Sequence, residues 1–366
     1  MIKVIYDHQV FSFQQYGGVS RYFYELAKRM ENFSGFSASI AAPLHVNRYL
    51  PDGGAAVHGR LAPLDPHLRR FVGIANRCVT PGLLKCLRPS VVHETYYRKS
   101  TSAPKGCPVV TTVHDMIHEK FEANFTAADQ TSDRKRFAVS RADRVICVSE
   151  KTRADLIELF GTDPQKTKTI HHGFSLCTTA EPEMRPDLPK PFFLYVGQRA
   201  GHKNFAALLR AYASSGLLRP DFDLIAFGGN AFARPENDAI RAAGLNSNQV
   251  RHLGGDDGLL AHLYRRAIAL VYPSLYEGFG IPPLEAMSLG CPVLCSNTSS
   301  IPEVVGNAGL YFDPTRVEAI RDAMESTISS PGLRSDLIAL GGHRAKMFSY
   351  DRCAAETANV YRDVVQ

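Results

Sequence analysis

The chain has 366 residues, 45% of them hydrophobic and 21% charged, with a formal net charge of +6. That length exceeds one ordinary core and falls short of three, so two domains are expected, and the composition excludes a disordered chain. The mild positive charge suits anionic small molecules or an anionic membrane surface and gives no reason to invoke nucleic acid.

Eight cysteines, at positions 78, 86, 107, 147, 177, 291, 295 and 353, form no C-x-x-C pair and sit mostly in apolar runs. They read as buried free thiols of a reducing compartment. Cys291 and Cys295 straddle the strand-like PVL without a His or Cys nearby, so no metal site is expected there.

The first element is an apolar strand, Ile2 to Tyr6, with no charged leader and apolar core ahead of it. No run approaches bilayer-spanning length, so the expectation is a cytoplasmic protein. After Asp7 and His8 comes FSFQQYGGVSRYFYELAKRM, where Gly17 and Gly18 precede a helix carrying Val19, Tyr22, Phe23 and Leu26 at helical spacing. A glycine turn after a first strand is where open α/β sheets hold phosphates, although the full G-x-G-x-x-G pattern is missing.

Between Asn47 and Pro108 the chain is rich in Pro, Gly and Arg. Its segment His67 to Ile74, continuing to Arg77, mixes basic and apolar residues at helical spacing. This fits either an ordinary surface helix or a patch for an acceptor or for the inner face of the cytoplasmic membrane. A strand from Pro108 to Val113 then carries His114 and Asp115 to its C-terminal end, the ligand-binding end of doubly wound sheets. His118 and Glu119 follow nearby. A helix with Phe137, Val139 and Ala142 leads to the strand Arg144 to Glu150, where Ser149 is placed to cap the next helix. A short strand, Thr169 to His172, ends at Gly173.

Residues 174–191 lose periodicity and gain Pro182, Pro186, Pro189 and Pro191, a linker signature between residues 1–173 and 192–350. The second half opens on PFFLYVGQ. Arg199 and Lys203 follow, before a helix from Asn204 to Tyr212; a planar fork and a point charge suit a diphosphate, the alternative being a solvated basic loop. After DLIAFGG and a helix around Ala239 to Ala243, VRHLGGD offers Leu253 and Gly254 as backbone contacts for a nucleobase.

The apolar run Ala267 to Tyr272 has the character of a buried parallel strand. A loop from Pro273 follows, in which Gly278 and Gly280 bracket Phe279 and Pro282-Pro283 introduce a helix near Leu284. Amides at such a turn favour an anion. Glu277 lies in the loop and Glu285 in the first helical turn. Two carboxylates so placed can each grip a vicinal diol, or can be a solvated residue and a first-turn charge. Asn297, Ser299 and Ser300 form a further polar loop, and a last helix, Asp351 to Val365, buries one face through Ala354, Ala358 and Tyr361.

The string EGFGIPPLEAM followed by GCPV resembles the donor-site signature of glycosyltransferase family 4, whose members transfer sugars from nucleotide sugars with retention. YGGVSRYFYELAKRM, VHDMIHEKF, VSEKTRADL and SLYEGFGIPPLEAM are most similar to the mannosyltransferase B-like group of bacterial polysaccharide enzymes. The resemblance implies an α/β chain of GT-B architecture, two Rossmann-like doubly wound domains facing a central cleft, with helix 351–366 returning to the first. It implies that Glu277 contacts the transferred sugar, that Gly278, Phe279, Gly280 and Ile281 hold sugar and phosphate, and that Glu285 binds the ribose. It further implies that Gly17 and Gly18 face the diphosphate with Arg21 behind them, that His114 lies beside the sugar, and that Arg199 and Lys203 meet the leaving group.

The implied reaction moves a hexose from a nucleoside diphosphate sugar, GDP-mannose favoured over UDP-linked sugars, to a hydroxyl of a glycan or lipid-linked acceptor. The nucleotide sugar is a co-substrate and no cofactor is expected. Without a D-x-D or other carboxylate cluster, metal independence is expected too. A nucleotide-sugar epimerase would need an acid and base pair that the sequence does not supply. A silent sugar-nucleotide-binding module is the third reading, and Glu277, Glu285 and Lys203 together argue against it.

Overall fold

The computed structural model describes residues 1–62, 66–126, 128–176, 186–199 and 201–366, with only the backbone described at Asp52 and residues 66–70. It forms two compact units, residues 1–173 with 349–366, and residues 174–348.

In the first unit the strands are β1 (Ile2–Tyr6), β2 (Phe36–His45), β3 (Ala56–Leu61), β4 (Val91–Glu94), β5 (Val109–Val113), β6 (Arg144–Cys147) and β7 (Thr167–Thr169). They pair in parallel in the order β3-β2-β1-β4-β5-β6-β7. All residues of β4 and β5 are buried, as expected of strands covered by helices on both faces. The order reverses between β1 and β4, so the segments after these strands, Asp7 to Gln9 and Thr95 to Arg98, flank the switch point where such sheets take ligands.

The core of this unit joins Tyr6, Phe11, Tyr22, Phe23 and Leu26 to Tyr350, Ala354, Ala358 and Tyr361 of the terminal helix Tyr350–Val365. Gly173 lets that helix begin: a Cβ there would lie 2.1 Å from the Tyr350 backbone nitrogen. At the heart of the contact the Tyr361 hydroxyl lies 2.6 Å from His93 Nδ1 and donates to the Tyr6 hydroxyl at 3.2 Å.

The second unit contains β8 (Phe192–Val196), β9 (Asp223–Phe227), β10 (Val250–Leu253), β11 (Ala269–Tyr272), β12 (Val293–Ser296) and β13 (Gly309–Phe312), all parallel, in the order β10-β9-β8-β11-β12-β13. Here the reversal falls between β8 and β11. The loop with Arg199 and Lys203 follows β8, and the loop with Glu277 follows β11, so the sheet order alone makes the two neighbours.

Some expectations shift in detail. The strand placed at Thr169 to His172 is Thr167–Thr169, leaving both histidines beyond it. The helix expected near Leu284 runs Ile281–Ser288, with the two prolines inside its first turn, where an N–H has no intrahelical partner to lose. Glu285 therefore stands one turn in. The basic segment lies in the helix Pro66–Leu87, which buries Val72, Asn76, Thr80 and Leu84 and exposes Phe71, Ile74 and Val79. Cys147, Cys291, Cys295 and Cys353 are buried free thiols, but Cys78 and Cys86 are exposed on that helix; Cys177 and Pro182 lie outside the described residues. No helix of the described residues is long and apolar enough to cross a membrane.

Candidate functional site

The second unit gathers its candidate residues at the switch point of its sheet. Lys203 ends the one-turn helix Gly201–Lys203 after β8, and Glu277 lies after β11. The Lys203 ammonium donates to both Glu277 oxygens, at 2.7 and 2.8 Å, and lies 5.9 Å from the centre of the Tyr272 ring. The pair is largely buried, with Lys203 21% and Glu277 8% exposed at the side chain. A pair this dry tolerates no loss of one partner, since the other is left charged and unpaired.

The backbone around Glu277 is pinned from the loop after β12. Ser299 Oγ accepts from the Glu277 N–H at 3.0 Å and donates to its carbonyl at 2.6 Å, while Ser300 Oγ lies 2.9 Å from the Glu277 carbonyl and 2.8 Å from that of Phe279. Ser299 holds φ +61°, an uncommon conformation for serine, to do so. Asn204, also left-handed, ties the other side by donating to the carbonyls of Pro273 and Pro314 at 3.1 and 2.8 Å. The sequence places Ser299 and Ser300 in a polar loop that the family resemblance turns toward the ligand, but does not show that they hold the Glu277 backbone.

Gly280, at φ +111°, turns the chain into the helix Ile281–Ser288. Pro282 and Pro283 carry no N–H, so the donors at this helix entry are the amides of Gly280 and Ile281 and of the loop before them. Phe279 is buried, its ring 5.8 Å from that of Phe348, so only its backbone is available. Glu285 is buried too, and accepts from the Tyr264 hydroxyl at 3.2 Å, a partner absent from the sequence reading.

Arg199 is held differently from Lys203. Its Nε donates to Glu236 Oε1 at 2.5 Å, its Nη atoms donate to the carbonyls of Gly228 at 3.1 Å and Asn230 at 2.5 Å, and its guanidinium lies 4.8 Å from the Phe232 ring centre. Leu253 ends β10, and its carbonyl accepts from the Gly228 N–H at 3.0 Å.

In the first unit, Gly17 caps and Gly18 starts the helix Gly18–Met30. Gln14 folds beneath Gly17 and accepts from the Ser20 N–H at 2.9 Å, so one first-turn amide is already satisfied from within the protein. Arg21 lies 5.5 Å from the Tyr49 ring centre. His114 follows β5, edge-on to Tyr22 and Phe23, with Nδ1 3.3 Å from His172 Nε2 and with a buried Nε2 that has no hydrogen-bond partner. Burial pushes its imidazole down to about 4, so it is neutral at ordinary pH. Glu119 pairs at 2.8 Å with the buried Lys135, and His118 stacks on Phe125; both serve local structure. His172, which the sequence pattern places at the end of a strand, lies three residues beyond β7 and beside His114.

Two family models divide the chain: one described as "Glycosyltransferase Family 4" matches residues 16–176, and one described as "Glycosyl transferases group 1" matches residues 179–343. O-antigen chain mannosyltransferase B of Escherichia coli is 31% identical over 94% of this chain and 96% of its own length. The chain belongs to glycosyltransferase family 4. Other relatives of this glycosyltransferase include the D-inositol 3-phosphate glycosyltransferase of Streptomyces bingchenggensis, 25% identical over 96% of this chain and 85% of that protein. Among solved structures, the Anabaena protein HepE in complex with UDP and glucose covers 99% of the chain and 100% of its own, with a TM-score of 0.75 at 18% identity. Sucrose-phosphate synthase from Thermosynechococcus elongatus gives 0.74 at 18% identity, covering 99% of each chain. These two fix the fold of the glycosyltransferase, two Rossmann-like parallel-sheet domains of GT-B type.

Proposed function

We propose that the protein transfers mannose from GDP-mannose, with retention of anomeric configuration, to a hydroxyl of a glycan or lipid-linked acceptor in the assembly of a bacterial surface polysaccharide of the O-antigen type. The observation that carries the reading is the Lys203–Glu277 pair beside the Gly280 turn, in a chain 31% identical to O-antigen chain mannosyltransferase B.

The chemistry follows from these groups. The bond from the anomeric carbon to the diphosphate oxygen breaks, its electron pair stays on the diphosphate, the acceptor oxygen bonds to the carbon from the same face, and the acceptor's proton passes to the departing diphosphate. The largest electrostatic demand is the charge growing on that leaving group. Lys203 meets it from one side, and the amides of Gly278 to Ile281 from the other. Glu277, relieved of part of its hold on Lys203, accepts from sugar hydroxyls, and Glu285, oriented by Tyr264, accepts from the ribose diol. Gly17 and Gly18 leave the backbone open to the diphosphate, and Leu253 offers its backbone to the base. Arg199 is the second cation of the loop, held by Glu236 until phosphate oxygens compete for it. With lysine and amides meeting the diphosphate, no divalent cation is required.

The test is product analysis with GDP-mannose labelled in the sugar, in the presence of EDTA and an isolated lipid-linked saccharide fraction as acceptor. Transfer into the acceptor with an α linkage by NMR is expected. Replacing Lys203 by Ala should lower kcat by about a hundredfold or more, the usual cost of losing one such charge-stabilising group. Transfer from a UDP-sugar alone would overturn the donor assignment, and conversion of one nucleotide sugar into another would overturn the transferase reading.

A further inference from the structure

Three residues around the Lys203–Glu277 pair, Asn204, Ser299 and Ser300, break the local rule for their position. Asn204 and Ser299 are two of the three non-glycine residues with left-handed φ among the described residues, at +58° and +61°. The third, Arg88, lies in the other unit. This conformation is costly for any residue with a Cβ, more so for serine than for asparagine, and persists only where the surrounding contacts demand it. Ser299 is the second residue of a turn closed by the Ile301 N–H on the Thr298 carbonyl at 3.3 Å, a position where turns with positive φ ordinarily use glycine. Ser300 and Asn204 depart from the rule in another way. Each stands at the N-cap of a helix, Ile301–Val305 and Phe205–Ser214, and neither side chain caps it, although an N-cap serine or asparagine normally accepts from a first-turn amide.

Their side chains all turn to the same loop instead. Ser299 Oγ engages both the N–H and the carbonyl of Glu277. Ser300 Oγ lies against the carbonyls of Glu277 and Phe279, and Thr298 Oγ1 donates to that of Leu275 at 3.1 Å. Three successive hydroxyls thus grip the chain from Leu275 to Phe279. From the other side Asn204, adjacent to Lys203, donates to the Pro273 carbonyl, and the His202 carbonyl accepts from the Leu275 N–H at 2.8 Å. The loops after β8, β11 and β12 are therefore laced together by the protein's own groups, with the Lys203–Glu277 pair between them.

We propose that Ser299 and Asn204 are positioning residues of the transfer reaction, held left-handed because only that backbone aims their side chains at the loop that carries Glu277. Neither is placed at the reacting atoms. They act through Glu277 and Lys203, whose mutual geometry they set before a donor binds, and a misplacement of about 1 Å in such a group can lower a rate by about a hundredfold. That this order serves sugar transfer rests on the proposed function; that it holds the ion pair does not.

The experiment compares Ser299→Gly with Ser299→Ala in the full chain. Both remove the hydroxyl, but only glycine relieves the backbone, so Ser299→Gly should melt above Ser299→Ala. Both are nevertheless expected to lower kcat for mannose transfer from GDP-mannose by a similar factor, about tenfold or more, while calorimetric affinity for GDP stays that of the wild type, since GDP carries no hexose for Glu277 to hold. Asn204→Gly, which keeps the backbone and removes the donor to Pro273, should lower kcat likewise. Activity that follows melting temperature instead, with Ser299→Gly near the wild type, overturns the positioning role. The hold on the pair is read without any substrate, by denaturant unfolding. Glu277→Gln should raise the unfolding equilibrium constant by a factor at least about twofold smaller in the Ser299→Gly background than in the wild type, because the pair is already loosened there. Strictly additive effects of the two substitutions overturn the proposal and leave the transferase reading intact. Coupling in a protein that transfers sugar from neither GDP-mannose nor a UDP-sugar overturns the transferase reading and leaves the hold of Ser299 on the pair.

Discussion

Lys203 and Glu277 are 74 residues apart, and each was legible from its own neighbourhood: a cation after an apolar strand, a carboxylate before a glycine turn. Their mutual bond was not legible, because nothing local says that β8 and β11 lie side by side. The same limit hid Tyr264 from Glu285 and Ser299 from Glu277. Arg199 shows the converse, since its residue type suggested a free cation and only the fold supplies Glu236. The histidines of the first unit carry a prediction at this scale. His93 is fully buried, and burial pushes it down to about 3, against about 6.5 in an unfolded chain. Between those values the unfolded chain binds a proton that the folded one does not, so stability is present above about pH 6.5 and lost as pH falls, by about 1.4 kcal/mol per pH unit for this group. Denaturant unfolding between pH 7 and 4.5 should therefore show a steeper loss in the wild type than in His93→Gln. Parallel curves for the two would contradict the assignment.

Among the elements, parallel strands announced themselves as short apolar runs, and caps such as Ser149, which accepts from the Thr152 N–H at 3.0 Å, were readable from residue type. Boundaries were less so. The helix expected near Leu284 starts at Ile281 because prolines are admissible in a first turn, and the histidines after β7 escape the strand because pairing with β6 stops at Thr169. The entry of the helix Ile281–Ser288 depends on one glycine. At Gly280 the nearest atom to an added Cβ is Tyr272 Cε1 at 3.9 Å, so alanine fits the space, yet φ +111° disfavours any L side chain. Gly280→Ala should therefore cost about 1–2 kcal/mol by backbone conformation alone, and should weaken nucleoside diphosphate binding as the turn relaxes. An unchanged melting temperature together with unchanged nucleotide affinity would show that the turn does not need this conformation.

For the whole molecule, alternating strands and helices in two halves were enough to indicate two doubly wound sheets, and each sheet has its reversal where the candidate residues cluster. What the linear pattern could not supply was the lacing of the loops after β8, β11 and β12 around one ion pair. The account holds that the second unit is a nucleoside diphosphate sugar site organised by Lys203 and Glu277. The most direct measurement is thermal unfolding of the full chain with GDP, GDP-mannose, UDP and ADP, with and without EDTA, for the wild type and Lys203→Ala. A ligand that binds the folded state alone raises its apparent stability, by about 2.7 kcal/mol at a hundred times its Kd. The account predicts that GDP and GDP-mannose raise the melting temperature, that EDTA leaves the rise unchanged, and that Lys203→Ala abolishes it. No rise with any nucleoside diphosphate, or a rise that survives loss of Lys203, would contradict it.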